Sequence, residues 1–146
     1  MNNSKSFIEL KAIWKDDHMF ELDITATNGR FLGTTQVYDT TESLSRFAES
    51  LFRFPKDKNQ LPLLHEAGIK NGYAYFSMKF YCLDPAGHIG VQLSMEANDS
   101  NYRSKEKDNV TLEMLVEPNA IDNFQRELMY LAKNQEGTAI LIGLHN

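Results

Sequence analysis

Only one cysteine, Cys82, occurs in the chain. No internal disulfide is therefore possible, and nothing ties the sequence to an oxidising compartment. Proline and glycine are also scarce, with four and eight among 146 residues, which excludes a collagen-like rod and a low-complexity tract. The longest apolar stretches, such as Leu61 to Leu64 and Ala139 to Ile142, fall far short of the ~20 residues that span a bilayer. A basic excess is missing too: 15 Lys and Arg stand against 20 Asp and Glu, a net of −5. The local basic groups, Lys56/Lys58 and Arg103/Lys105/Lys107, are interrupted by acids. Phosphate attraction needs concentrated Lys and Arg, so no direct nucleic-acid binding is expected. Met1 to Ser6 lacks the apolar core of a secretory signal, which makes a cytoplasmic location the expectation. What is present is an ordinary globular composition, 42% hydrophobic and 24% charged, at a length that suits one domain over residues 1–146.

Hydrophobic period orders the chain. Ile8, Leu10, Ala12 and Trp14 alternate with polar residues, as do Phe20, Leu22, Ile24 and Ala26. Asn28-Gly29 is a tight-turn signal, because both residues tolerate positive φ. A third strand over 30–38 completes an antiparallel meander. Asp39-Thr40-Thr41-Glu42 then offers a helix N-cap with a carboxylate three positions on. Leu44, Phe47, Ala48, Leu51 and Phe52 follow at helical spacing. Residues 56–71 carry no clear period and stay unassigned. Strands are expected over 72–82, 89–95 and 110–116, with turn chemistry at Asp84-Pro85-Ala86-Gly87 and a polar loop from Asn98 to Asn109. Pro118-Asn119 opens a second helix with Ile121, Phe124, Leu128, Leu131 and Ala132 on one face. A buried strand over 138–144 ends the chain. The order predicts an α+β domain: one antiparallel sheet of six or seven strands, with two amphipathic helices on one face.

Such a sheet leaves its other face to solvent. That face would present Glu9, Lys11, Glu21, Asp23, Tyr73, Tyr75, Lys79, Tyr81, Gln92, Ser94, Glu96, Thr111 and Glu113. Five carboxylates meet two lysines there. Tyr73, Tyr75 and Tyr81 fall on one side of a single predicted strand, and tyrosine offers large contact area with a polar tip. The candidate partner-binding residues are therefore Tyr73, Tyr75, Lys79, Tyr81, Glu21, Asp23, Glu96 and Glu113.

Catalytic signals are thin by comparison. Cys82, Asp84 and His88 lie close in sequence and suggest a thiol with its base, in a pocket between sheet and helices. Yet Cys82 falls on the apolar side of its strand, as structural cysteines do, and His88 follows a turn glycine where it suits hairpin bonding. His18, His65, His88 and His145 share no metal-ligand spacing. Asn98-Asp99-Ser100-Asn101 lacks the glycine and distal Glu of a calcium loop. No nucleotide-binding glycine fingerprint is present. No catalytic residue, metal or cofactor is expected, and the remaining alternative is a small-ligand pocket or an enzyme site near Cys82 and His88.

The hairpin from Gly72 to Gln92 resembles the central hairpin of the WapI-type immunity proteins of bacterial polymorphic toxin systems. The flanking order is similar as well: a meander with Asn28-Gly29 and Gly33-Thr34, a Leu/Phe helix, then Val116-Glu117-Pro118 leading into Phe124 to Ala132. The resemblance implies a non-enzymatic cytoplasmic antidote that binds the toxic C-terminal domain of a large secreted or wall-associated protein. In several related systems that toxin is a nuclease, often acting on RNA. The family carries no catalytic residues to transfer. Self-association of the chain is a further possibility that the sequence leaves open.

Overall fold

A computed structural model describes residues 5–98 and 108–144. Asp99 to Asn101 and the basic group Arg103/Lys105/Lys107 lie outside the described residues, as does His145. The elements run β1 (Phe7–Lys15), β2 (Phe20–Thr27), β3 (Leu32–Asp39), α1 (Thr41–Leu51), β4 (Leu63–Gly68), β5 (Tyr75–Cys82), β6 (Ile89–Glu96), β7 (Asn109–Val116), α2 (Pro118–Asn134) and β8 (Thr138–Ile142). The α+β reading holds, but the expected single sheet does not. Among the described residues, eight strands form two antiparallel four-stranded sheets, ordered β3-β2-β1-β8 and β4-β5-β6-β7.

The division between the sheets has a local cause. The outer edge of β3 is occupied by a side chain: Asn98 accepts from the Gln36 amide at 3.1 Å and donates to the Gln36 carbonyl at 2.9 Å. An amide side chain thus stands where a neighbouring strand would pair. β3 instead runs past all four strands of the second sheet. Thr35 donates its hydroxyl to the Glu96 carbonyl at 2.7 Å, and Asp39 meets His65 of β4 at 2.8 Å. The missing eighth strand is β4, inside the stretch that hydrophobic period left unassigned. His65 hides it, because a polar residue takes an inward position between Leu63 and Ala67.

Both helices bury their apolar stripes in the same core as the inward residues of both sheets. Phe80 of β5 is central. Its ring stacks on Phe124 of α2 at 6.3 Å and also meets Phe47 of α1 and Phe54. Helix α1 is capped by Thr40, whose hydroxyl accepts from the Ser43 amide. Asp39, one residue earlier, is spent on His65 instead. Phe52 leaves the helical stripe: as the C-cap residue it turns outward and is half exposed. Helix α2 starts with Pro118 at its first turn and stops at Gln135, which takes the left-handed conformation at φ 56°.

Trp14 is a further departure from simple alternation. A register shift between Ala12 and Trp14 adds one residue to β1, which turns the Trp14 ring from the core side to solvent. There it meets Tyr38 edge to face at 6.0 Å.

Candidate functional site

Register places the predicted surface residues on two separate faces. Glu21 and Asp23 stand on β2, on the outer face of the first sheet, with Glu9 and Lys11 of β1 beside them. Tyr75, Lys79, Tyr81, Glu96 and Glu113 gather on the outer face of the second sheet. Tyr73 precedes β5 and lies in the turn after β4, 59% exposed. Each face carries three carboxylates against one lysine, because β4 adds Glu66 to Glu96 and Glu113. Glu66 was hidden within the unassigned stretch. Trp14 and Tyr38 were missed on the first face, since only the bulge in β1 directs Trp14 outward.

The second face is held by hydroxyl-to-carboxylate bonds. Tyr75 donates to Glu66 at 2.6 Å, diagonally across the β4–β5 pair. Tyr81 reaches over β6 and donates to Glu113 on β7. The absence of a side chain at Gly90 makes this possible: a Cβ there would come within 2.5 Å of the Tyr81 ring. Aromatic cover of a strand glycine also shields the ladder beneath it. Glu96 is buried and accepts from the Asn71 amide at 2.8 Å, which ties the β4–β5 turn to β6. Tyr75 is itself only 7% exposed. Besides Leu64 and Thr111, the accessible side chains of this face include Glu66, Lys79, Tyr81, Gln92 and Glu113, with Tyr73 at its margin.

Burial raises the Tyr81 hydroxyl well above the ordinary tyrosine value, and the Glu113 carboxylate adds to the shift. The same order of causes, burial and then Glu66, raises Tyr75. A raised folded-state value means the stabilisation is whole below the unfolded value of about 10 and is lost as pH climbs through the folded value. Alkaline titration followed by phenolate absorbance should therefore show two tyrosines that ionise late in the native protein. Tyr81→Phe should remove one of them. A native titration with all six tyrosines ionising together near pH 10 would contradict this geometry.

The Cys82 region is arranged differently. Cys82 is half-buried and packs against the core. A shallow cavity of about 400 Å³ beside it is lined by Lys58, Asn59, Leu83, Asp84 and Pro85. His88 is not part of that lining. Its Nδ1 meets the Asp84 carboxylate at 2.7 Å, and the other Asp84 oxygen accepts from the amides of Ala86 and His88. His88 and these amides hold the Asp84 carboxyl below its ordinary range. This set closes the β5–β6 turn. Among the described residues no group of three or more His, Cys, Asp or Glu converges on a metal position. No described helix is long and apolar enough to cross a membrane.

Family models, curated proteins and solved structures were each compared with the chain, and none matches it.

Proposed function

We propose that this chain is a non-enzymatic immunity protein that binds and neutralises the toxic C-terminal domain of a cognate polymorphic toxin in the cytoplasm. The observation that carries the reading is the outer face of the β4–β7 sheet, where Tyr81 covers Gly90 and bonds Glu113, with Lys79 two residues earlier on the same face. An aromatic with few free torsions, held by the Glu113 carboxylate, suits protein recognition. The resemblance of residues 72–92 to immunity proteins supports the same conclusion. A nuclease toxin presents a basic, phosphate-binding cleft, and an acidic face is steered toward it and occludes it.

The test begins with the genes flanking this one, where a large protein with a variable C-terminal domain is expected. That domain is then co-expressed with this chain, with survival and association rate as readouts. Flanking genes without such a protein would count against the reading. Tyr81→Ala and Glu113→Lys should each weaken neutralisation by about tenfold or more. Trp14→Ala, on the other sheet, should leave it unchanged. Association should slow as salt rises, because screening removes the steering. Full protection by the Tyr81 and Glu113 variants would remove this face from the interface, and a rate indifferent to salt would remove its electrostatic part.

A further inference from the structure

A four-stranded sheet has two edges, so this fold must manage four. Unpaired edges invite pairing with another chain. The edge of β8 is met by α2, where Glu127 accepts from the Ile140 amide at 2.9 Å. The edge of β3 is held by the Asn98 amide. On β7, the Asn28 side chain donates to the Glu113 carbonyl and the Leu144 amide to the Leu115 carbonyl. The fourth edge, β4, has no such cover among the described residues.

The hydrogen-bonding groups on that edge are identifiable. Ile69 donates to the Ala74 carbonyl at the end of the β4–β5 hairpin, which turns the backbone groups of Leu63, His65 and Ala67 toward β5. Leu64, Glu66 and Gly68 therefore aim their amides and carbonyls outward. Beside them, a groove of about 450 Å³ runs between β4 and α1, lined by Arg46, Phe47, Ser50, Leu63 and His65 among others. Two of the most exposed aliphatic side chains flank the strand: Leu61 at 79% and Ile69 at 72%.

We infer that β4 is the contact for a second copy of this chain, joined antiparallel edge to edge so that the two sheets continue as one of eight strands. The strand is complementary to itself in one register, centred on His65. Leu64 then pairs with Glu66 of the second copy, and all four amides and carbonyls of these two rungs are matched. Pro62, which has no amide, falls at the outermost rung opposite Gly68, where the loss is least. Leu63 stands opposite Ala67 on the groove side, and Leu61 comes to Ile69, which covers both aliphatics twice over. The neighbouring registers are worse. Centring on Glu66 sets carboxylate against carboxylate, and centring on Leu64 puts Pro62 opposite Glu66 and leaves Ile69 uncovered.

Light scattering on the purified chain at high micromolar concentration should give a mass near twice 16.7 kDa. Leu64→Pro removes an outward amide without touching the β4–β5 ladder, so it should yield a folded monomer with an unchanged circular dichroism spectrum. Should that variant misfold, the charge pair still decides the matter. Leu61→Lys or Ile69→Glu alone should raise the dimer dissociation constant about tenfold, and the two together should restore it. A wild-type monomer, a folded Leu64→Pro dimer, or a double variant no better than its parents would each overturn the proposal. The first of these would leave the edge to a strand from another protein.

Discussion

Phe80→Ala is expected to destabilise the fold by about 4 kcal/mol, a large part of the stability of a domain this size. Phe80 is fully buried, and its ring meets Phe124 on α2, Phe47 on α1 and Phe54 after the helix. Truncation removes contacts from both helices at once, and three rings anchored on different elements cannot all close into the space. The cavity term therefore adds to the lost transfer energy. In urea the midpoint should fall by about 2 M with little change in slope. Phe80→Leu, which keeps much of the volume, should cost about 1.5 kcal/mol or less. A cost for alanine below about 1 kcal/mol would mean that Phe80 does not join the two helices to the sheet.

Asp39→Ala should be nearly as damaging, at about 3 kcal/mol, for a polar reason. His65 and Asp39 are both buried and meet at 2.8 Å. They join β3 of one sheet to β4 of the other. Removing the carboxylate strands the imidazole among apolar neighbours, including the Phe47 ring at 5.2 Å. It also frees the Thr40 amide, which donates to the other carboxylate oxygen at 2.8 Å. His65→Leu should be costly in the same way, because it leaves the buried acid with the Thr40 amide as its only remaining donor among the described residues. The double variant should then cost less than the two single variants summed, by at least about 1 kcal/mol. Additive losses in equilibrium unfolding would show that the two groups stabilise the fold separately.

These two residues also show how unevenly the fold can be read from sequence. Phe80 lies in a strand of strict alternation, so its inward position follows from the period alone. Asp39 has the look of a helix cap, and its neighbour Thr40 takes that task. Nothing near Asp39 in sequence points to His65, 26 residues away. His65 in turn breaks the pattern that would have revealed β4, and with β4 went Glu66 and the open edge. The candidate site divides the same way. The outward position of Tyr81 was legible from alternation, whereas its bond to Glu113 depends on the register of three strands and on Gly90 lying beneath the ring.

The scarcities of the chain did determine a good deal. One cysteine excludes an internal disulfide, and hydrophobic period, with strand-favouring composition at β3 and β8, located both helices and seven of the eight strands among the described residues. Period is a local property, carried by which residues lie two or four apart, and it survives whatever the rest of the chain does. Tertiary structure alone decided that the strands part into two sheets, that Trp14 turns outward at a bulge, and that the acidic residues divide between two faces. Each of these depends on a side chain meeting a distant backbone or partner, as Asn98 meets Gln36 and Asp39 meets His65. Separations of that kind leave no period in the sequence.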